Sequence, residues 1–249
     1  MKLFNIPNLF TLGNLLCGCL AIVFAFEGNL VWSAYLVGIA CVLDYFDGFL
    51  ARLLKQHSEI GKQLDSLADM VSFGVLPGVV MFVLLKTWTE SAKGLTPFEQ
   101  NIYIPYIAFI IPLFSALRLA KFNIDTRQSD SFIGIPTPAN TILIASLPLM
   151  IHFKKGMWIT DIEPRYLAFF VQPYFLIALT IIMSILLIAE IPLFALKFKS
   201  YGWKGNGIRY GFLALSIVLL ATLQFVGIPL TIVLYILMSV ISNLVKKKS

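Results

Sequence analysis

Residues 44–69 read DYFDGFLARLLKQHSEIGKQLDSLAD, and this stretch decides how the rest of the chain is interpreted. It carries four aspartates inside a chain that is 59% hydrophobic. Asp44 and Asp47 are three residues apart, and Asp65 and Asp69 are four apart. Such spacings place side chains on one face of a helix. We therefore predict two consecutive helices whose acidic faces meet.

The first of these helices is expected to end near Arg52, and the reversal between them is predicted around Gly61. Clustered carboxylates repel each other, and a carboxylate near lipid is costly. A divalent cation relieves both costs, and all-oxygen ligands favour magnesium, manganese or calcium. Four aspartates can hold two ions, an arrangement that suits phosphoryl chemistry. The alternative, a solvated loop with aspartates as helix caps, explains one or two of them but not four.

Small residues accompany the first acidic pair. Gly48 and Ala51 fall on the same helix face as Asp44 and Asp47, and they leave a gap in which a bulky ligand can touch the helix. Arg52 adds a fixed, fork-shaped charge that suits phosphate.

The composition indicates an integral membrane protein. The chain has 249 residues, a mean hydropathy of +0.87 and 13% charged residues, which is too little polar surface for a soluble domain of this size. Its net charge of +6 is therefore not a nucleic-acid signal, and we expect no nucleic-acid partner. Cys17, Cys19 and Cys41 fall in apolar stretches without metal or redox spacing. Neither His57 nor His152 is assigned a role.

Apolar segments define an all-α, polytopic transmembrane helix bundle. A helix that crosses a bilayer needs roughly 20 apolar residues. By that rule we predict about eight spans, near 8–26, 31–52, 66–86, 103–121, 138–153, 166–189, 208–225 and 228–245.

The placement of lysine and arginine predicts the orientation. Alternating spans put 14 of the 19 basic residues on the side of the N-terminus, which the positive-inside tendency makes cytoplasmic. The expected location is the cell (inner, cytoplasmic) membrane, with the acidic cluster facing the cytoplasm. The 14 residues are Lys2, Arg52, Lys55, Lys62, Arg118, Lys121, Arg127, Lys197, Lys199, Lys204, Arg209, Lys246, Lys247 and Lys248.

Polar residues line one side of the first span. Pro7 suits a first helical turn, and Asn8 and Thr11 would then lie level with the aspartates. Asn14 and Gly18 lie deeper, and we interpret them as residues that join helices. Such a polar face argues against a cleaved signal peptide.

The third span continues as SLADMVSFGVLPG. Ser66, Ser72, Gly74 and Gly78 are predicted to allow close helix contact, and Pro77 to kink the helix. Ser66 lies beside Asp65 and is a candidate ligand contact.

The quoted stretch also resembles a known family. The pattern D-x-x-D-G-x-x-A-R-x8-G-x-x-x-D-x-x-x-D is the signature of the CDP-alcohol phosphotransferases, and all of its fixed positions are present here. Further segments resemble one branch, the CDP-diacylglycerol–serine O-phosphatidyltransferases (phosphatidylserine synthases). These segments are IPNLFTLGN, SLADMVSFGVLPG, ALRLAKFN and GIPTPAN.

The resemblance implies a reaction and roles. CDP-diacylglycerol and L-serine would give phosphatidylserine and CMP, with two divalent ions (Mg²⁺ or Mn²⁺) as cofactors and a homodimer as the assembly. Metal ligands would be Asp44, Asp47, Asp65 and Asp69, and Asp69 would also act as general base. The CDP moiety would contact Asn8, Thr11, Gly48, Ala51, Arg52, Gly61 and Ser66.

Candidate serine-binding residues follow the fourth span. Arg118 lies about a turn deeper than Lys121 and Asn123, where a charge needs a partner. That partner is either the carboxylate of serine or the metal-bound phosphates. Thr137 is a candidate N-cap with Pro138 at the first helical position, and a helix N-terminus there offers N–H groups to an anion.

Two other functions stay open. One is a sibling enzyme with another acceptor, glycerol phosphate or inositol phosphate, which should need more basic residues. The other is a divalent-cation transporter, although transporters place such groups near the midplane. We expect a single membrane domain, 1–249, with a catalytic core at about 1–190 and additional C-terminal helices at about 191–249. The basic segments of the latter serve as topology signals or contact membrane lipids.

Overall fold

The computed structural model describes residues 4–56, 58–91, 101–125, 131–153, 169–194, 202–203 and 206–248. Within these ranges the chain is almost entirely helical, as predicted. The α-helices are α1 (Ile6–Phe26), α2 (Leu30–Leu53), α3 (Glu59–Asp69), α4 (Leu76–Ser91), α5 (Ile110–Ile124), α6 (Thr137–His152), α7 (Pro173–Ile188), α8 (Gly207–Leu223) and α9 (Gly227–Lys248).

The helices make this a multi-pass membrane protein. In the described part of the chain, five helical stretches are long and apolar enough to cross a bilayer: Ile6–Phe26, Leu30–Leu53, Glu59–Glu90, Ile104–Ile124 and Gly207–Leu244. The last stretch is a hairpin of α8 and α9, because the chain reverses at Gln224 and Gly211 lies next to Met238. The shorter helices α6 and α7 occupy the predicted fifth and sixth segments, so a helix is found at each predicted span.

Successive helices run in opposite directions. One end of the bundle, which we call the acidic end, gathers the start of α1, the end of α2, the start of α3, the end of α5, the end of α7 and the end of α9. Hydrogen bonds at this end join Thr11 to Asp47, Asn123 to Ser66, Ile135 to Leu186 and Asn243 to Pro192. At the opposite end, Phe153 after α6 stacks on Phe225 between α8 and α9.

A π-helical segment, Met70–Val75, joins α3 to α4. The sequence explains why the α-helix is interrupted here, because Pro77 has no N–H to donate to the carbonyl of Phe73, four residues earlier. The hydroxyl of Thr141 on α6 donates to that carbonyl instead, at 3.0 Å. The predicted kink is therefore a change of helix type that is held by a side chain from a neighbouring helix.

Small residues bring the helices into close contact, as predicted. A Cβ on Gly18 of α1 would lie 2.3 Å from Ser72 Oγ, and that hydroxyl donates to the carbonyl of Asn14 at 3.0 Å. A Cβ on Gly78 of α4 would lie 2.8 Å from Pro112 Cδ on α5. These contacts fix α1, the π segment and α5 around one another.

A short antiparallel ribbon, which no sequence pattern predicted, lies at the acidic end. Strand β1 (Ser131–Ile133) pairs with β2 (Pro192–Phe194). The hydroxyl of Tyr235 on α9 donates to the carbonyl of Phe194 at 2.9 Å. The ribbon therefore ties α6 and α7 to the C-terminal hairpin.

Two local predictions were wrong. The reversal between α2 and α3 is not at Gly61 but directly after α2, where Lys55 adopts a positive φ of 51°. Gly61 instead lies in the first turn of α3, because Ser58 caps that helix and its hydroxyl accepts from the Gly61 N–H at 3.1 Å. Thr137 is not an N-cap either: Pro136 holds that position with an extended backbone, and α6 begins at Thr137 itself.

Candidate active site

Four aspartates converge at the acidic end, as their spacing predicted. One carboxylate oxygen each from Asp44, Asp47 and Asp65 lies within 4.8 Å of the others. Asp69 lies next to Asp44 and completes the group. The first pair comes from the last turns of α2, and the second pair comes from α3.

The turn before α3 sets this geometry. The Ser58 cap starts α3 immediately after the reversal, so α3 packs back along α1, which also packs along α2. At Gly61 the contact with α1 is close, since a Cβ there would lie 3.2 Å from Asn8 Oδ1. A side chain at this position would press on the Asn8 side chain of α1 and on the hydroxyl of the Ser58 cap.

Helix α1 supports the aspartates with hydrogen bonds. The hydroxyl of Thr11 donates to Asp47 Oδ2 at 2.7 Å, and both side chains are buried. The Asn14 amide donates to Asp69 Oδ1 at 3.4 Å. Asn14 was interpreted only as a helix-joining residue, and its position three residues after Thr11 was the signal that placed it on the same face.

A cavity of about 500 Å³ opens beside the carboxylates. Six of the seven residues predicted to contact the nucleotide line it. The seventh, Ser66, does not: its hydroxyl accepts a hydrogen bond from Asn123 and donates one to the carbonyl of Lys62. A Cβ on Gly48 would meet only Arg52 Nη1, at 3.8 Å, so the helix surface there is open. The lining residues are Pro7, Asn8, Thr11, Asp47, Gly48, Ala51, Arg52, Gln56, Ser58, Glu59, Gly61, Lys62 and Asp65.

The cluster of four aspartate carboxylates suits a hard divalent cation. Its donors are all oxygens, and three of them are close enough to share one ion. Among the described residues, no lysine or arginine forms an ion pair with any of the four aspartates. Within the described ranges the four aspartates therefore have no salt-bridge partner, and a metal ion would neutralise their charges.

The predicted acceptor residues divide into two groups. Arg118 is buried, stacks over the ring of Phe122 at 5.1 Å and interacts electrostatically with Asp69, so it belongs to the site. Lys121 forms an ion pair with Glu190, beside the ribbon.

The other two predicted acceptor residues have structural surroundings. Asn123 donates to Ser66 Oγ at 2.8 Å, and its carbonyl accepts from Lys62 Nζ at 2.9 Å. These two hydrogen bonds hold the end of α5 against α3. Thr137 is fully buried at the start of α6.

Comparison with known proteins agrees with this site. The family model described as CDP-alcohol phosphatidyltransferase matches residues 4–237. A Helicobacter pylori protein named CDP-diacylglycerol–serine O-phosphatidyltransferase is 34% identical over 174 residues, which are 68% of this chain and 67% of that protein.

Proteins of the same name give similar values. The one from Mycobacterium tuberculosis is 32% identical over 199 residues, 76% of this chain and 60% of that protein. The one from Bacillus subtilis is 36% identical over 138 residues, 53% of this chain and 69% of that protein.

Proposed function

This chain belongs to the CDP-alcohol phosphatidyltransferase family, and from that premise we propose that it transfers the phosphatidyl group of CDP-diacylglycerol to the hydroxyl of L-serine. The products are phosphatidylserine and CMP. The observation that carries the proposal is the group of four aspartates beside a cavity that is open at the small residues Gly48 and Ala51. The names of the relatives supply the acceptor.

Two divalent ions, Mg²⁺ or Mn²⁺, would be held by Asp44, Asp47, Asp65 and Asp69. When bound, they neutralise the pyrophosphate and the charge that develops on the transferring phosphoryl group. The protein contributes the fixed position of the ligands. Thr11 orients Asp47 from α1, so the carboxylates do not need to rearrange when the substrate binds.

The cavity residues bind the nucleotide part of the lipid. Gly48 and Ala51 let the substrate approach the α2 backbone, and Arg52 at the rim offers its guanidinium to a phosphate. Asn8 and Gly61 close the opposite wall where α1 meets α3. The diacylglycerol tails remain among lipid chains beside the bundle.

Asp69 is the proposed general base. The Asn14 amide donates a hydrogen bond to it and Asp44 lies beside it, so its carboxylate is held at the inner edge of the acidic group. One of its oxygens would contribute to the metal site while the other accepts the proton of the serine hydroxyl. The serine oxygen then forms a bond to the phosphorus of the phosphatidyl group, and the bond from that phosphorus to the CMP oxygen breaks.

The small number of basic side chains near Asp69 favours serine as the acceptor over a phosphorylated alcohol. Lys121 is occupied by Glu190, which leaves Arg118 as the buried cation beside Asp69 in the described part of the chain. One guanidinium matches one carboxylate. A cation transporter is disfavoured because the carboxylates lie at one end of the bundle and not near its middle.

The remaining proposals concern the setting. The protein would lie in the cytoplasmic membrane with the acidic end towards the cytoplasm, on the basis of the 14-to-5 distribution of basic residues. It would act as a homodimer. It would form one domain, with the core at about 1–190 and the C-terminal helices at about 191–249 as an addition.

The test is an assay of CMP release by the purified protein in vesicles that contain CDP-diacylglycerol. Serine, glycerol phosphate and inositol phosphate are offered separately, with and without EDTA. We expect turnover with serine only, loss of turnover with EDTA and recovery with Mg²⁺ or Mn²⁺.

Two variants make the assay specific to the site. Asp44→Asn should be inactive, whereas Glu90→Gln, which alters an exposed pair with Lys86 outside the site, should behave as wild type. Preference for another alcohol would refute the proposed acceptor. Full turnover in a metal-free preparation would refute the role of the aspartates.

A further inference from the structure

Three buried polar side chains lie on α5 and α6, the helices that pack against the π segment, and make no hydrogen bond within the described part of the chain. They are the hydroxyls of Ser115 on α5 and Thr137 on α6, and the amide of Asn140 on α6. Asn140 is 0% exposed, and neither its oxygen nor its nitrogen has a partner there. None of these groups has a role in the reaction described above.

Their position links them to the reacting end of the site. Thr141, the neighbour of Asn140, bonds to the Phe73 carbonyl and fixes the first turns of α6 on the π segment. Ser115 lies against the same segment, because a Cβ on Gly74 would be 3.2 Å from Ser115 Cβ.

The same helices lead to Asp69. Arg118 follows Ser115 by one helical turn on the same face of α5, and its charge interacts with Asp69. Asp69 is the residue immediately before the π segment. Ser115 and the first turns of α6 thus pack on the segment that directly follows the proposed base, and none of the three polar groups lines the nucleotide cavity.

An ordinary structural role does not account for Asn140. Some other buried hydroxyls in this bundle bond to their own helix, as Ser146 does to Leu143 and Thr180 does to Leu176, whereas the hydroxyls of Ser33 and Ser184 also have no partner among the described residues. The Asn140 amide has no such bond, and a buried amide without partners destabilises a fold. A polar molecule that binds at this place would satisfy it. Helices of π type occur frequently at functional sites, and one borders this group.

We propose that Asn140 is a specificity-determining residue of the acceptor subsite and that its Oδ1 accepts a hydrogen bond from the ammonium group of serine. Arg118 binds the serine carboxylate, and Ser115 and Thr137 complete the polar wall. This inference rests on the proposed function. It adds that the enzyme recognises the amino group through α6, whereas the sequence pointed only to the carboxylate.

The experiment compares serine with 3-hydroxypropionate, which keeps the hydroxyl and the carboxylate but lacks the amino group. Asn140→Ala should raise the KM for serine on the order of tenfold or more, because a buried contact to a charged group is lost. The KM for CDP-diacylglycerol should not change. The preference for serine over 3-hydroxypropionate should fall by a similar factor.

Two further variants separate recognition from folding. Asn140→Asp has nearly the same shape and keeps the oxygen, so it should retain the preference for serine even if Asn140→Ala folds poorly. Ser33→Ala removes another buried hydroxyl that has no partner among the described residues, at the far end of α2, and it should leave both KM values unchanged.

The outcomes are distinct. An unchanged preference for serine over 3-hydroxypropionate in Asn140→Ala would overturn the proposal, as would an equal loss of activity with both acceptors. Loss of the preference in Asn140→Asp would also overturn it. A wild-type protein that uses a different alcohol and not serine would instead refute the proposed function.

Discussion

Replacing Thr11 with valine tests whether α1 sets the metal affinity of the site. The substitution keeps the shape of the side chain and removes the buried hydroxyl that donates to Asp47 Oδ2 at 2.7 Å. A hydrogen bond to a charged group contributes about 1.5–3 kcal/mol. A difference of about 1.4 kcal/mol is a factor of ten in affinity, so the apparent affinity for the metal should fall by roughly 10- to 150-fold.

The known effect on metal affinity of replacing a residue that supports a metal ligand has a similar size. Loss of a side chain that orients a metal ligand typically lowers the affinity for the metal by about 10- to 100-fold. The assay is CMP release as a function of Mn²⁺ concentration at saturating CDP-diacylglycerol and serine. The concentration that gives half-maximal rate should rise by the stated factor, and the maximal rate should largely return at high Mn²⁺.

The matched control is Thr180→Val. Thr180 is also fully buried, but its hydroxyl bonds to the carbonyl of Leu176 in its own helix, at 2.8 Å. This variant should show the Mn²⁺ dependence of the wild type, and Thr11→Ser should restore most of it. If Thr11→Val reaches half-maximal rate at the wild-type Mn²⁺ concentration, then Thr11 does not position a metal ligand.

Three further predictions follow from the geometry. Arg118→Ala should raise the KM for serine by on the order of tenfold and leave that for CDP-diacylglycerol nearly unchanged, and the reverse pattern in steady-state kinetics would assign the residue to the phosphates. In sealed vesicles, a membrane-impermeant thiol reagent should label Gln56→Cys from the cytoplasmic side and Glu27→Cys only from the other side; labelling of both from one side would contradict the alternating helices. Gly18→Leu should lower the melting temperature, because the space beyond Gly18 is filled by Ser72, and an unchanged temperature would show that the contact is not tight.

Local periodicity was sufficient to predict the helices and the acidic cluster. Asp44 and Asp47 share a face of α2 because of their spacing alone, and Thr11 lies level with them because α1 begins at the same membrane surface. These predictions depend only on helix geometry and bilayer thickness, which are the same in every membrane protein. They needed no knowledge of the tertiary contacts.

What the sequence did not reveal depends on contacts between distant residues. Lys121 was read as a topology signal or a substrate contact, but its partner Glu190 is 69 residues away and no local pattern announces it. Asn14 was assigned to helix packing because its contact with Asp69 requires the position of α3 to be known. The exact turn at Lys55 was missed since glycine is the usual residue at positive φ and a lysine occupies it here.

The cavity at the acidic end has one more consequence, which concerns how the enzyme meets its substrates. It lies between helices whose outer faces are apolar and exposed, with Leu9 and Leu16 on α1 and Tyr45 and Phe49 on α2. A lipid that carries a nucleotide therefore arrives by lateral diffusion within one leaflet, while serine arrives from water. The rate should then follow the mole fraction of CDP-diacylglycerol in the bilayer. Dilution with inert phospholipid slows such a reaction even when the amount of substrate per volume is constant, and phosphatidylserine is released directly into the leaflet from which its precursor came.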